Sequence, residues 1–399
     1  MIKISFNGDV REFAAEGKSY IELISSVDPK LLSSYVAAKL GDEVVDLRDV
    51  PADGTEVELV GLDSKEALTV LRHTTTHIMA EAVKHLFPEA KVTIGPATET
   101  GFFYDFECTP FTKENLEAIE KEMKKIIKSS PRIERKEVSR EEAIELMKAK
   151  GETYKLELID AIPEGERITL YSQDDFVDLC MGPHLLNTRL IKGFKLLSSS
   201  TTYWRGDKNN PSLSRIYGTA FFTKEDLEAY LAHLEHIKNI DHNKIGREME
   251  LFTTVDVIGQ GLPLLMPKGA KIVQTLQRWI EDLEDNEWGY IRTKTPLMAK
   301  SDLYKISGHW DHYKEGMFVL GDEETDKEVF ALRPMTCPFQ YYVYKATHHS
   351  YRDLPLRYSE TSTLFRNEDS GEMHGLTRVR QFTISEGHLI VRPDQMVEE

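Results

Sequence analysis

The sequence predicts an α+β protein of several domains, on three observations. Its 399 residues exceed what one ordinary hydrophobic core holds. A composition of 40% hydrophobic and 29% charged residues belongs to a folded, soluble chain rather than a disordered one. Helical and strand signals alternate in a mixed order, which implies helices packed on antiparallel sheets.

The first 61 residues read as a compact unit. MIKISF and VREFA flank Asn7-Gly8-Asp9, a hairpin signal. A short helix is predicted over Tyr20 to Val27, and SSYVAAKL, EVVDL and EVELV supply three further strands. Strands, a helix and more strands in this order give a small ubiquitin-like β-grasp fold. No catalytic constellation lies in it, so a docking or regulatory role is expected.

A second region, 62–223, opens with a helix from Ser64 to Phe87 that Pro88 ends. Glycine-rich strands follow in VTIGPATETGFFYDF. Thr112 caps an amphipathic helix with Leu116, Ile119, Met123 and Ile126 on one face. Ser139 with Glu142 forms a capping box, and Gly151 ends that helix. Residues 224–247 read as a connecting helix. The third region, 248–399, has a long helix from Ala270 to Glu287, then a strand ending at Pro296 and several more strands. Glu399 falls inside what reads as the start of another helix.

The formal net charge of −17 argues against a nucleic-acid partner on average, because phosphate contacts need Lys and Arg. A local patch can act against that average, and KEMKKIIKSSPRIERK at 121–136 is one, although a solvated helix face is its ordinary meaning. No apolar run is long enough to span a bilayer, so no membrane partner is expected, and the N-terminus does not have the pattern of a signal peptide. Three well-separated cysteines, Cys108, Cys180 and Cys337, fit a reducing, cytoplasmic compartment.

Two patterns carry chemistry. H-T-T-T-H at 73–77 puts His73 and His77 on one helix face, and C-M-G-P-H at 180–184 repeats the spacing with Cys180 and His184. Gly182-Pro183 makes a turn the expected backbone there. Three imidazoles and a thiolate fit either a tetrahedral zinc or a water poised for hydrolysis. Either pattern alone is more often a packing coincidence.

With their flanks, L-R-H-T-T-T-H-I-M-A, I-G-P-A-T-E-T-G-F-F-Y-D-F and D-L-C-M-G-P-H resemble the editing domain of bacterial threonyl-tRNA synthetases, which is similar to that of the alanyl enzymes. The resemblance implies that His73, His77, Cys180 and His184 form a hydrolytic core, with Tyr104, Lys155 and Asp178 around the substrate. The implied reaction is hydrolysis of the ester joining serine to tRNA(Thr). The alanyl relatives use zinc at this site, and the threonyl family is generally read as metal-free there. The resemblance also makes the first 61 residues a TGS domain.

L-F-R-N-E-D-S-G-E-M-H-G-L-T-R-V-R-Q-F at 364–382 fits motif 2 of class II synthetases. It implies that Arg366 contacts the α-phosphate of ATP, Glu368 reads the adenine amino group and Arg378 supports the adenylate. Guanidinium groups suit the charge that develops there. The 270–296 segment resembles motif 1, which builds the homodimer interface of this class. Arg333 to Pro338 and His388 resemble the threonyl family's zinc segments, so Cys337 and His388 would be two of three zinc ligands. Gln381 and Glu386 depart from the family, where Gly and Asp are common; Glu386 keeps the charge expected of an amino-group partner.

The class II resemblance implies a partial antiparallel-sheet catalytic domain. It also implies ATP with Mg2+, threonine, tRNA(Thr) and Zn2+ as ligands, and threonine–tRNA ligation as the reaction. A zinc that selects by hydroxyl rejects valine well. It leaves serine, which lacks one methyl worth only ~1–3 kcal/mol, to a hydrolytic site. The third zinc histidine, motif 3 and the anticodon-binding domain lie outside these 399 residues. On that basis a deacylase-only chain and a non-catalytic tRNA-binding or regulatory fragment are the alternative expectations.

Overall fold

The computed structural model describes every residue except Asn7, Ala15 and Glu16. The turn predicted at Asn7-Gly8-Asp9 therefore lies partly outside the described residues. The chain forms two compact units, Met1–His233 and Leu234–Glu399.

The first unit begins with β1 (Ile2–Phe6), β2 (Asp9–Phe13), α1 (Tyr20–Val27), β3 (Tyr35–Leu40), β4 (Glu43–Val45) and β5 (Glu56–Gly61). They make one sheet in the order β2-β1-β5-β3-β4, with β1 parallel to β5 and the other pairs antiparallel. Strand alternation gives this sheet two buried faces. Ile2, Ile4, Leu47, Val57 and Leu59 join Tyr20 and Ile24 of α1 in one core. Val36, Ala37 and Val60 face the other way, into the core built on α2 (Lys65–Leu86).

Ser64 caps α2, its hydroxyl accepting from Ala67 N at 3.1 Å. The helix is buried along most of its length, Thr74, Thr75 and Thr76 included. Each of those hydroxyls donates to a backbone carbonyl, which removes the cost of burying it. After α2 come β6 (Lys91–Val92), β7 (Phe102–Glu107), α3 (Lys113–Ser129), β8 (Glu134–Val138), α4 (Arg140–Lys150) and α5 (Thr153–Ala161). The unit continues with β9 (Ile168–Gln173), β10 (Phe176–Leu179), β11 (Gly193–Tyr203) and β12 (Ser212–Phe221). One antiparallel sheet runs β11-β12-β7-β6 and a second β10-β9-β8. Only the ends of the VTIGPATETGFFYDF segment are strand; residues 93–101 cross as irregular chain.

The predicted connector is not one helix. α6 (Lys224–Ile240) stops and α7 (His242–Glu248) starts afresh, because Asp241 turns extended and its carboxylate caps Asn243 N and Lys244 N.

In the second unit β13 (Phe252–Thr253) and β14 (Leu264–Leu265) form a short ribbon before α8 (Pro267–Asn286), which starts at Pro267 rather than Ala270. The strand expected to run to Pro296 is β15, only Ile291–Arg292. Then come β16 (Met298–Lys300), α9 (Ser301–Ile306), α10 (His309–Tyr313), β17 (Val319–Leu320), β18 (Phe330–Leu332), α11 (Cys337–Lys345), β19 (Leu356–Phe365) and β20 (Gln381–Ile390). Two three-stranded sheets result, β15-β19-β20 and β16-β18-β17. The helix expected to begin before Glu399 is a single tight turn at Pro393–Gln395. A fully buried pair, Arg333–Glu360 at 3.0 Å, joins α11 and the 293–295 segment to β19 through Thr295 and Gln340.

Candidate active site

The hydrolytic residues proposed from sequence converge on one point. α2 supplies His73 and His77, one turn apart, and the loop after β10 supplies Cys180 and His184. Cys180 Sγ lies 3.2 Å from His73 Nε2 and 3.3 Å from His184 Nε2. The His184 ring centroid is 4.2 Å from each of the other two imidazoles. One donor atom from each of the four falls within 4.8 Å of all the rest, so the set matches the donor chemistry of a zinc centre as well as that of a held water.

The loop that delivers Cys180 and His184 turns as the sequence suggests. Gly182 has φ +77°, and a Cβ there would sit 2.1 Å from the Tyr171 hydroxyl, so no side chain fits. Gly182 N donates to Cys180 Sγ at 3.3 Å, and Cys180 N to Thr169 O at 3.1 Å.

Thr74 sets the tautomer of His184. Its hydroxyl donates to Val70 O at 2.9 Å, so its oxygen accepts from Leu185 N at 2.9 Å and from His184 Nδ1 at 3.3 Å. The His184 proton then sits on Nδ1, and Nε2 presents a lone pair to the thiol. Burial pushes His73 down to about 4 and holds His184 well below the ordinary histidine value, so both rings are neutral at pH 7.

Behind the imidazoles is a buried charged group. Asp178 Oδ1 pairs with Lys155 Nζ at 2.6 Å, Tyr104 OH donates to Asp178 Oδ2 at 2.7 Å, and His77 Nε2 is 3.7 Å from the same oxygen. Burial pushes the Asp178 carboxyl up; Lys155, His77 and the Tyr104 hydroxyl outweigh it and keep it below the usual carboxylate value. Gly95 leaves room for the Tyr104 ring, whose Cδ2 would be 2.1 Å from any Cβ there. The cluster opens on a largely apolar cleft of about 300 Å³ whose walls include His73, Pro96, Pro183 and Val44.

Of the second set of sequence candidates, Glu386 and His388 lie on β20, Arg366, Glu368 and Arg378 lie between β19 and β20, and Cys337 opens α11. Register places Glu360 opposite Glu386 and Tyr358 opposite His388. Arg366 follows β19, its guanidinium 5.1 Å from the Phe382 ring centre. Arg366 Nε, Glu386 Oε2 and His388 Nδ1 are buried without a hydrogen-bond partner. Arg378 Nε donates to Glu368 Oε2 at 2.8 Å, so these two occupy each other. Burial, aided by Glu386, pushes the Cys337 thiol up, and burial pushes His388 down. Cys337 and His388 are not drawn into any three-donor cluster among the described residues. The other such cluster, Asp241, His242 and His374, escaped the sequence reading. Asp241 is committed to capping α7, and His242 Nε2 accepts from Leu376 N at 3.0 Å.

Two family models match the chain. The Threonyl and Alanyl tRNA synthetase second additional domain matches residues 168–217, which include Asp178, Cys180 and His184. The tRNA synthetase class II core domain (G, H, P, S and T) matches residues 318–399, which include Cys337, Arg366, Glu368, Arg378, Glu386 and His388. The whole chain aligns at 57% identity with 62% of a threonine–tRNA ligase from Clostridium perfringens. It does the same with one from Clostridium botulinum, and at 48% with one from a Geobacillus species.

The chain is similar along its whole length to curated threonine–tRNA ligases.

It spans 62% of the length of these curated threonine–tRNA ligases. His73, His77, Tyr104 and Lys155 lie outside both segments that the family models match, and the fold brings them to the matched Cys180 loop. Sequence reasoning missed three residues that hold this cluster together: Thr74, Tyr171 and Asp46. Thr74 sits in the H-T-T-T-H motif itself, where a buried hydroxyl one residue past a histidine was the available signal. Tyr171 and Asp46 carry no local signal.

Proposed function

We propose that the protein is a threonine–tRNA ligase whose first unit hydrolyses seryl-tRNA(Thr). The observation that carries the hydrolytic half is the convergence of three imidazoles and a thiol beside an open cleft, with the thiol 3.2 Å from His73 and 3.3 Å from His184 and donor atoms of all four within 4.8 Å. Water held among them attacks the ester carbonyl carbon. Its proton passes to a neutral imidazole nitrogen, and the carbonyl–ribose oxygen bond breaks. The ribose hydroxyl that leaves recovers the proton. Asp178, 3.7 Å from His77 Nε2, stands where a ring that gains a proton is stabilised, and Lys155 compensates the carboxylate beforehand.

In the second unit, three buried polar atoms without partners, on Arg366, Glu386 and His388, support a ligand-facing surface on the β19–β20 face. In this reading Arg366 takes the α-phosphate of ATP delivered with Mg2+, Glu368 the adenine amino group, and Arg378 the adenylate. Glu386 holds the amino group of threonine. Cys337 and His388 offer sulfur and nitrogen donors that suit zinc, and the orphaned His388 Nδ1 fits that assignment. Bound there, zinc would read the threonine hydroxyl.

Residues 1–61 serve as a TGS-type β-grasp module, 62–223 as the editing domain, 224–247 as the connector and 248–399 as part of the synthetic domain. The exposed apolar stripe of α8, with Ile272, Leu276 and Trp279 at helical spacing, supports a homodimer. Free cysteines fit a cytoplasmic setting, and no helix is long and apolar enough to cross a membrane.

The test is to incubate the chain with seryl-tRNA(Thr) and threonyl-tRNA(Thr). The expected result is rapid release of serine and slow release of threonine. Equal rates, or none, would remove the hydrolytic assignment. Threonine-dependent ATP–pyrophosphate exchange by the whole protein, lost in Arg366→Ala, tests the synthetic half.

A further inference from the structure

The β-grasp sheet does more than precede the hydrolytic cluster. The end of β4 and the turn that follows it, Val44 to Arg48, lie beside that cluster, and their side chains divide between two sides. Val45 and Leu47 enter the core of the N-terminal sheet. Val44 packs on the neighbouring core and lines the cleft beside His73. Asp46 and Arg48 reach the loop that carries Cys180 and His184.

The contacts are dense and buried. Asp46, 2% exposed, accepts from His184 N at 3.0 Å and from Tyr171 OH at 3.0 Å, both on Oδ2. Tyr171 is the residue whose hydroxyl lies against Gly182. Arg48 braces the Asp46 carboxylate at 2.9 Å and donates to His184 O at 3.2 Å, Leu185 O at 2.9 Å and Ile133 O at 2.6 Å. The peptide unit of His184 is thus gripped at both N–H and C=O by residues 136 and more positions away. On the opposite side Thr74 holds Leu185 N and His184 Nδ1. The His184 ring is fixed between these two supports, and nothing in its own loop replaces the first.

We propose that Asp46 and Arg48 are positioning residues of the hydrolytic site, and that the β-grasp module is therefore a structural half of that site rather than a separate docking domain. The inference rests on the hydrolytic reading of His73, His77, Cys180 and His184. An Asn at 46 keeps the size but turns one acceptor oxygen into a donor, so it cannot serve His184 N, Tyr171 OH and Arg48 together. The ring then loses its alignment to Cys180 while the cleft that receives substrate stays intact. The loss falls on kcat and not on KM.

The experiment compares single- and multiple-turnover deacylation of seryl-tRNA(Thr) by the 399-residue chain and its Asp46→Asn, Tyr171→Phe and Asp49→Asn variants. Asp49 also ties the module down, its Oδ1 accepting from Arg135 at 2.8 Å and Arg167 at 2.7 Å; its Oδ2 accepts from Asp46 N at 3.2 Å, a bond that an Asn oxygen keeps, and it makes no hydrogen bond to the His184 loop. Asp46→Asn is expected to lower kcat by about 10–100-fold, as a displaced catalytic group does, with KM nearly unchanged. Tyr171→Phe removes a single hydroxyl, so it gives a smaller fall of the same kind even if Asp46→Asn folds poorly. Asp49→Asn is expected to stay close to the parent. Parent-like kcat in both Asp46→Asn and Tyr171→Phe would overturn the proposal, and so would equal losses in Asp46→Asn and Asp49→Asn, which would mean docking alone. A parent chain without deacylase activity is a different failure: it overturns the hydrolytic reading itself, and this proposal with it.

Discussion

Glu81 shows how one residue of the site's supporting helix limits stability. It lies one turn beyond His77 on α2 and is fully buried, with Gln173 Nε2 donating to Oε2 at 2.7 Å. Burial pushes its carboxyl up to about 7, a rise the Gln173 hydrogen bond only partly offsets. The folded chain therefore keeps this proton up to about pH 7, whereas the unfolded chain releases it near the ordinary glutamate value. Between those values the folded state binds more protons, so stability falls as pH rises and then levels off. Glu81→Gln is expected to stabilise the first unit by on the order of 2 kcal/mol at pH 8 and by little at pH 4, read from denaturant melts at the two pH values. A gain that is the same at both would show that Glu81 is not the titrating group.

At the scale of elements, local chemistry decides what a sequence reveals. Ser139→Ala removes a cap whose hydroxyl accepts from Glu142 N at 3.1 Å. It should cost ~1 kcal/mol, seen as roughly fivefold faster amide exchange across α4 and not elsewhere. Unchanged protection there would contradict the role of the cap. The caps at Thr112, Ser139 and Gly151 were legible because the partner groups lie within three or four residues. The α6–α7 break was not, since Asp241 reads as one more polar residue on a helix until its extended backbone is seen. α5 also escaped, having no side-chain cap. For the candidate site, four-residue spacing made His73/His77 and Cys180/His184 visible as pairs. That the pairs meet depends on β7 and β12 packing against α2 and on Phe176 of β10 reaching His77, which no spacing reports. Asp46 was illegible for the same reason: its partners are Tyr171 and His184, 125 and 138 positions away.

For the whole molecule, two surfaces make claims of different kinds. Along α8, Leu276 and Trp279 are 56% and 58% exposed, large apolar groups that a partner helix would cover. If α8 forms the dimer interface, sedimentation should show a dimer that Leu276→Glu with Trp279→Glu converts to monomer. A monomeric parent, or a dimer indifferent to both charges, would place the interface elsewhere. The hydrolytic centre is the stronger claim, because its four donors and the Asp178 group behind them are assembled within the first unit alone. The most direct measurement is single-turnover hydrolysis of seryl-tRNA(Thr) by the parent chain and by Cys180→Ala. A rate in the parent that drops by roughly 100-fold in the variant is the predicted result, on the scale of losing a group that orients the attacking water and the imidazoles beside it. Equal rates in the two proteins would contradict the account.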